Sequence, residues 1–352
     1  MATIYDVATA AGVSPKTVSR VMNGDAPVNA LTRERVEAAI GRLGYVPSVA
    51  ARNMRSTRTG LVGLVTGAIS GDPAAGGPTG LPDLQIVQGI QRVLAENGFT
   101  LLISDTGGDA ARIPQLFRTL QEYRLEGLFY VADRHMRIEK PLAEHVGRLM
   151  LVNAFDTAGT PCVLPDDLDG QQTLTAALIA SGHRRIGFLT LPQGFIAHGL
   201  RLEGYRQALA AAGLAFDPDL VIDADHGGGP EERAALEAAI SRLLDLDVPP
   251  TALCCGNDRL AVTVYGLLRA RGIDLPERMS VAGYDDYRVI SETLYPQLTT
   301  VELPYGRMGE AAARLMLGEL RGDAPLSPGV RVEVKGELRW RDSVRPLAPK
   351  VE

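Results

Sequence analysis

The sequence has few of the features that mark secreted, membrane or metal-binding proteins. It contains three cysteines in 352 residues, which are Cys162 and the adjacent pair Cys254 and Cys255. Because neither a disulfide framework nor a CxxC metal spacing can be built from these three, a reducing compartment is expected. The first residues lack the basic and apolar segments of an export signal, and no run approaches the roughly 18 apolar residues of a membrane span. We therefore expect a cytosolic protein with no membrane partner.

Motifs for catalysis are also scarce. The five histidines are scattered, without HExxH spacing, so surface or packing roles are favoured over metal ligation. The glycine-rich segment at 227–230 lacks the lysine and Ser/Thr of a phosphate-binding loop, and no G-x-S-x-G elbow is present. Carboxylates capable of acid/base work keep an enzyme as an alternative, but no nucleophile or cofactor motif accompanies them. The sequence predicts a protein that is not an enzyme and has neither a metal nor a cofactor.

The composition and the charge distribution point to a small basic head on a larger body. Hydrophobic residues make up 45% of the chain and charged residues 22%, which suits two or three compact units rather than disorder. The net charge is −6, yet residues 1–60 carry eight Lys/Arg against four Asp/Glu, a net +4 that leaves −10 for the remainder. Charge alone does not separate DNA binding from an ordinary solvated surface.

Residues 1–47 contain the pattern of three short helices. The first follows an N-cap at Thr3 and repeats apolar residues at helical spacing. The second begins with Ser14 and the proline after it and stops at Gly24, and the third begins after Asn29. Two short helices joined by a tight turn that contains glycine, with a third to complete the core, describe a helix-turn-helix unit.

The second helix presents hydrogen-bond donors on the side opposite its apolar residues. Lys16 and Arg20 can reach guanine O6 and N7 in a major groove. Ser14, Ser19 and Asn23 can bond phosphates or base edges. A helical hairpin without a DNA-binding role is the alternative, and the basic polar face on the second helix disfavours it.

Three motifs of the head share their order and spacing with a known family. They are Thr3-Ile4-Tyr5-Asp6-Val7-Ala8, Ala11-Gly12-Val13-Ser14 and Thr17-Val18-Ser19-Arg20-Val21-Met22-Asn23-Gly24. Together they resemble the DNA-binding head of the LacI/GalR transcriptional regulators. The resemblance implies that Pro15, Lys16 and Arg20 read operator bases, with Lys16 more important because proline offers only an apolar contact. We add Ser19 to this major-groove set, and we assign phosphate contacts to the hydroxyl and amide groups of Thr3, Ser14, Thr17 and Asn23.

Residues 48–60 form an alanine- and arginine-rich connector that is too short for a stable isolated helix. A flexible linker is the alternative reading of its composition. The family resemblance implies a hinge helix that folds on DNA, pairs with its dimer mate and wedges Met54 into the minor groove. Ala51, Arg52, Met54 and Arg55 form this hinge and minor-groove set, in which Arg52 and Arg55 can bind flanking phosphates.

From residue 61 to 352, short apolar runs alternate with amphipathic helices, one of them predicted near 138–147. This rhythm predicts an α/β body with parallel sheets. The resemblance implies two Rossmann-like lobes of the periplasmic-binding-protein type. It places the first lobe at about 61–155 plus 295–322 and the second at about 161–287 plus 327–345. The three crossovers between the lobes are expected near 155–161, 287–295 and 322–327.

Polar residues follow several predicted strands, where ligands of such folds bind. Asn153, Asn257 and Asp285 stand just past strands, and Arg201 begins a helix after another strand. Each has an ordinary alternative, since Asn257 can cap a helix and Arg201 can pair with a surface acid. The resemblance assigns Arg201, Asn257 and Asp285 to effector binding and makes Asn153 a further contact. Phe195 is added as an aromatic face, with Tyr287 as the other candidate, and a core role is the alternative for either residue.

The combined interpretation is a ligand-responsive transcriptional repressor of carbohydrate-related genes. A homodimer binds palindromic double-stranded operator DNA, and a small effector, a sugar or polyol, binds between the lobes. Arg201 suits an effector carboxylate equally well. The Gly/Pro/Ala segment at 70–80 departs from the family pattern, which usually has an aromatic element there. A solute-binding protein of the transport type is the alternative, disfavoured by the missing export signal and the basic head.

Overall fold

In the computed structural model, the chain forms two compact units, Met1–Thr59 and Gly60–Glu352. The structure describes residues 2–24, 28–46, 58–67, 69, 81–142, 147–224 and 230–347. The predicted hinge contacts Ala51, Arg52, Met54 and Arg55 and the segment at 70–80 lie outside these residues.

The first unit holds three helices, α1 (Ile4–Ala11), α2 (Pro15–Asn23) and α3 (Ala30–Leu43). They enclose a small core in which Val7, Val18 and Val36, one from each helix, are fully buried. Short helices of this length are not stable alone, so the unit depends on this shared apolar contact.

Local signals in the sequence fix where these helices begin and turn. Thr3 forms a capping box with Asp6 at the start of α1, and Ser14 caps α2 by accepting from the Thr17 amide. Gly12 adopts φ +62°, the left-handed conformation that ends α1. The Arg35 guanidinium of α3 donates to the Ala11 carbonyl at 2.5 Å beside this turn. The predicted caps and the helix-turn-helix arrangement are confirmed.

In the second unit, strands and helices alternate along the chain. The strands are β1 (Leu61–Thr66), β2 (Thr100–Asp105), β3 (Gly127–Ile138), β4 (Leu149–Asp156), β5 (Cys162–Pro165), β6 (Ile186–Thr190), β7 (Val221–Asp223), β8 (Ala252–Cys255), β9 (Ser280–Asp285), β10 (Thr299–Glu302), β11 (Arg331–Val334) and β12 (Leu338–Arg339). The α-helices are α4 (Leu81–Glu96), α5 (Ile113–Gln121), α6 (Asp167–Ala180), α7 (Ile196–Ala211), α8 (Pro230–Leu244), α9 (Asp258–Ala270), α10 (Arg288–Ser291) and α11 (Tyr305–Arg321). Short 3₁₀ turns occur at Ala110–Arg112 and Pro218–Leu220.

The strands form two sheets that define two lobes. The first has the order β2-β1-β3-β4-β5-β11 and is entirely parallel. The second has the order β7-β6-β8-β9-β10-β12, in which only β12 is antiparallel to its neighbour. Helices α4 and α11 pack on the first sheet, and helices such as α6, α7 and α9 pack on the second. The predicted fold class, a helical head with a two-lobed α/β body, is confirmed.

The lobe boundaries differ from those predicted. The sequence predicts β5 in the second lobe, but Cys162 pairs with both Leu151 of β4 and Arg331 of β11, so β5 and β11 belong to the first sheet. The sequence predicts β10 in the first lobe, but it lies between β9 and β12 in the second sheet. The three crossovers therefore follow β5, β10 and β11. A short buried apolar run predicts a strand, but its sheet is set by hydrogen-bond partners distant in sequence.

The helix predicted near 138–147 is wrong over its described part, residues 138–142 and 147. Strand β3 continues to Ile138, and its final residues pair with β4 beyond a bulge. The polar residues 133–135 interrupt the apolar run and hide this continuation from pattern analysis. Among the described residues, no helix is both long and apolar enough to cross a membrane.

Candidate functional site

The exposed side of α2 carries the side chains predicted to read DNA. Lys16 and Arg20 are exposed one helical turn apart, whereas Val18 and Val21 are buried in the head core. Pro15 occupies the first turn, and Ser19 is partly buried. A protruding helix with two long cationic donors on one face has the form that major-groove recognition requires.

The predicted phosphate contacts also hold the ends of the helices. The Thr3 hydroxyl lies 2.8 Å from an Asp6 carboxylate oxygen, and the Ser14 and Thr17 hydroxyls lie 3.0 Å apart. These exposed hydroxyls are fixed at the amino ends of α1 and α2, where backbone amides favour anions. Phosphate binding by these residues stays a prediction, and the side chain of Asn23 lies outside what the structure describes.

The second candidate site surrounds the buried guanidinium of Arg201, in the first turns of α7. Its Nε and Nη2 lie 2.8 and 2.7 Å from Asp167 Oδ1, and its Nη1 donates to the Gly256 carbonyl at 2.5 Å. The Asp285 carboxylate is 4.0 Å from Nη1, and the Tyr284 ring stacks with its centroid 3.6 Å from Cζ. Arg201 therefore joins the first residue of α6, the residue after β8 and the end of β9.

Glycines next to these groups allow the close approach. A Cβ at Gly204 would overlap the Leu168 carbonyl oxygen, so this glycine lets α7 pack against the start of α6 beside Asp167. One residue later, the Tyr205 hydroxyl donates to the Ile186 carbonyl at 2.8 Å and anchors α7 on β6. The arginine, glycine and tyrosine of this helix thus form one positioning unit.

Asp167 is the buried carboxylate that holds this cluster together. Its second oxygen is 2.8 Å from Nδ1 of His135, which lies on β3 of the first lobe. Burial raises the pKa of the Asp167 carboxyl, but the charge of Arg201 and the hydrogen bond from His135 outweigh it, so the net pKa is lowered. Burial lowers the pKa of Arg201, and the charge of Asp167 more than restores it. The pair is therefore ionised at neutral pH.

Asn153 lies at the carboxyl end of the first sheet, within β4. Its backbone has φ +61°, a left-handed conformation that asparagine tolerates better than most residues. Its side chain is buried, and Nδ2 donates to the Ala132 carbonyl at 3.2 Å. Asp285 and Asp286 also have positive φ, of +122° and +47°. Unusual backbone conformations at these strand ends are typical of binding sites.

The polar residues at the carboxyl ends of β8 and β9 have different roles. Asn257 caps α9 by accepting from the Leu260 amide at 2.7 Å, the alternative role that the sequence allowed. Asp258 is buried and accepts from the Thr300 hydroxyl at 2.7 Å and the Tyr287 amide at 2.8 Å. Burial, followed by the nearby Asp285 charge, raises the pKa of Asp258 well above its usual value. Asp285 is the partly exposed carboxylate of this group, and its side chain is 25% exposed.

The structure brings Arg201 and Asp285 together and places Phe195 at the start of α7. Phe195 is 38% exposed, and the Arg134 guanidinium from β3 lies 5.3 Å from its ring centroid. The sequence analysis missed Asp167 and His135. Asp167 follows a strand end, the signal used for the other residues, whereas His135 lies in a bulge that no local pattern predicts.

Comparisons with known proteins divide the chain in the same way. Residues 3–48 match the family described as bacterial regulatory proteins, lacI family, and residues 175–344 match the periplasmic binding protein-like domain. The ribose operon repressor of Haemophilus influenzae is 30% identical over 324 residues, which cover 91% of this chain and 92% of that protein.

Two solved structures have the same architecture. A complex of the transcriptional regulator CelR with cellobiose is 30% identical, with a TM-score of 0.64, and the alignment covers 97% of this chain and all of that one. The lac repressor dimer bound to operator and the anti-inducer ONPF has a TM-score of 0.77 at 24% identity, over 98% of this chain and 99% of that one. The latter likeness shows the fold alone.

Replacing Asp167 with asparagine should destabilise the second unit in a pH-dependent way. The change leaves the buried Arg201 guanidinium uncompensated, which costs about 3–5 kcal/mol. Because the folded-state pKa of Asp167 is lowered, its carboxylate contributes its full stability above the unfolded value of about 3.9 and loses it as pH falls towards the folded value. Urea unfolding at pH 7 and at pH 3.5 should therefore show a large difference between the two proteins that shrinks in acid.

The matched control is Asp133→Asn, on the same bulge, where the carboxylate is 48% exposed and pairs with Arg134 at the surface. Its unfolding free energy should change by no more than about 0.5 kcal/mol. If Asp167→Asn lowers the free energy of unfolding by the same amount at both pH values, the Asp167–Arg201 pair is not ionised as described.

Proposed function

The chain belongs to the LacI family of bacterial regulatory proteins, and we propose that it is a repressor of carbohydrate-related genes whose affinity for operator DNA changes when a small effector binds between the two lobes. The operator is palindromic double-stranded DNA, and the protein binds it as a homodimer. The exposed basic face of α2 supports the proposed DNA binding, and the cluster around Arg201 supports the proposed effector binding.

In the proposed complex, the major groove receives α2. Lys16 and Arg20 bind base edges, Ser19 and Pro15 contact the same surface, and capping hydroxyls at the helix starts bind phosphates. The family profile covers these residues. A transport protein with the same two-lobed fold has no use for this head, so regulation is the better account.

The effector we propose is a neutral saccharide or polyol. The observation that carries this proposal is that the Arg201 guanidinium is already paired within the protein. Its Nε and Nη2 bind the Asp167 carboxylate, and its Nη1 binds the Gly256 carbonyl. An effector carboxylate would meet the negative charges of Asp167 and Asp285 beside this guanidinium. The hydroxyl groups of a neutral saccharide instead donate hydrogen bonds to Asp285 and form hydrogen bonds with Asn257 and Asn153. They bring no further negative charge to the site.

The relatives support this class of effector. One is named a ribose operon repressor, and the solved CelR structure contains cellobiose. In the proposed site, Arg201, Asn257 and Asp285 bind from the second lobe, Asn153 binds from the first, and Phe195 packs against the ring face of the sugar.

Arg20→Ala should remove most of the discrimination between operator and unrelated DNA. A base-contacting arginine contributes about 1–3 kcal/mol, so the ratio of affinities for a sequence selected by the wild type and its scrambled form should fall roughly 10- to 100-fold. Fluorescence anisotropy with both duplexes measures the ratio. Arg42→Ala, which removes an exposed charge from the last turn of α3, should retain it. Unchanged discrimination by Arg20→Ala would refute the assignment of α2 to the groove.

Asp285→Asn should weaken effector binding about 10- to 100-fold and leave operator binding intact. The amide keeps the shape of the side chain and tolerates the positive φ, but it loses the charge that strengthens hydrogen bonds from hydroxyls. Calorimetric titration with D-ribose, D-xylose and cellobiose measures the effect on whichever saccharide binds the wild type.

Asp274→Asn is the control for this effect. It lies between α9 and β9, at the opposite end of the sheet from Asp285, and is exposed. Equal saccharide affinity in Asp285→Asn and wild type would remove Asp285 from the site. Binding of sugar acids in place of neutral saccharides would show that Arg201 recognises a charge.

A further inference from the structure

The pairing of β3 with β4 contains a bulge that faces Asn153. Val131 pairs with Val152, and the next pair is Met136 with Ala154, so residues 132–135 stand opposite the single residue Asn153. Asn153 Nδ2 donates to the Ala132 carbonyl at 3.2 Å and holds the start of the bulge. Its end carries His135, which is only 6% exposed. Bulges of this kind redirect side chains next to binding sites.

The hydrogen bond to Asp167 fixes which nitrogen carries the proton in the neutral His135 ring. Asp167 is ionised, since its contacts with Arg201 and His135 outweigh burial and lower its pKa, and an ionised carboxylate only accepts hydrogen bonds. Nδ1, 2.8 Å from Asp167 Oδ2, is therefore the protonated nitrogen. In the neutral ring, Nε2 is then a bare acceptor.

Two buried acceptors of the first lobe thus lack a donor. Neither His135 Nε2 nor Asn153 Oδ1 has a hydrogen-bond partner among the described residues. The Asn153 amide cannot exchange its ends, because the Ala132 carbonyl requires a donor at Nδ2. A buried acceptor left unpaired destabilises the folded state, so such groups in folded proteins normally meet a ligand or an ordered water.

The contacts of His135 connect it to the residues proposed to bind the effector. Asp167 links it directly to Arg201, and Arg201 reaches the Gly256 carbonyl and approaches Asp285. On the adjacent residue of the bulge, Arg134 stacks on Phe195 at the start of α7. The bulge therefore contacts the second lobe at two points beside the proposed effector contacts.

We propose that His135 is a specificity-determining residue of the effector site, whose Nε2 accepts a hydrogen bond from an effector hydroxyl next to the one accepted by Asn153 Oδ1. The proposal rests on the proposed function, because it requires a hydroxylated effector. It implies that the first lobe selects ligands by two acceptors and disfavours those that present acceptors, such as carboxylates or keto groups, at this position.

The test compares His135→Asn with the wild type. The asparagine amide is able to replace Nδ1 as donor to Asp167 but has no atom at the place of Nε2. Calorimetric titration with D-ribose, D-xylose and cellobiose should give a dissociation constant about 10- to 100-fold higher in the variant for any saccharide that binds the wild type. Arg137→Gln, an exposed side chain on the same strand, should match the wild type.

Deoxy derivatives of the saccharide that binds separate a direct contact from a structural role. Removing the hydroxyl that donates to His135 should weaken binding to the wild type but cause little further loss in His135→Asn. A general loosening of the site would instead weaken every derivative equally in the variant, and that result would overturn the contact.

Long-range ¹H–¹⁵N spectra of the wild type supply a test that does not depend on folding of the variant. The His135 Nε2 resonance should be that of an unprotonated nitrogen without saccharide and should shift when saccharide is added. An unmoved Nε2 resonance, or equal affinities of wild type and His135→Asn, would overturn the role of His135 and leave the proposed function standing. Failure of the wild type to bind any neutral saccharide would overturn both.

Discussion

The ion pair between Asp167 and Arg201 is the interaction on which the arrangement of the body depends. Both side chains are buried, and an unpaired charge there would be costly, so each fixes the position of the other. Asp167 begins α6 directly after the crossover from the first sheet, and Arg201 belongs to α7 of the second lobe. His135 extends the pair into β3, and the Gly256 carbonyl extends it to the end of β8. The Asp167 carboxylate thereby links the carboxyl ends of both sheets. A substitution at Asp167 therefore removes contacts in both lobes.

Much of the fold follows from local patterns in the sequence. The alternation of apolar runs with amphipathic helices predicts a two-lobed α/β body, and capping residues such as Thr3, Ser14 and Asn29 mark the starts of the head helices. The sheet to which a strand belongs does not follow. Two strands, Cys162–Pro165 and Thr299–Glu302, are short and largely buried. Their sequences are compatible with a position in either sheet. Their places are decided by pairing with strands distant in the chain, which periodicity does not encode.

The candidate sites divide in the same way. The exposed face of α2 is predictable because a 3.6-residue period separates Lys16 and Arg20 from the buried Val18 and Val21. The rule that ligands lie past strand ends points to Arg201 and Asp285. It does not reveal that Arg201 is already bound, since its partner Asp167 is 34 residues away. That contact favours hydroxyl groups over an effector carboxylate, the two chemistries that the sequence leaves open for Arg201. The position of His135 was not predictable from the sequence, because it depends on the bulge in β3. That bulge is visible only once the register of β3 with β4 is known.

In this protein, effector binding in the body and DNA binding by the head should be coupled. The coupling is measured by the dissociation constant of the saccharide with and without saturating operator DNA, together with that of operator DNA with and without saturating saccharide. Thermodynamic linkage requires the two ratios to be equal, and coupling in regulators is typically about 5- to 150-fold. We expect equal ratios that differ clearly from one. A saccharide that binds equally well to the free and the DNA-bound protein would show that the two binding events are not coupled.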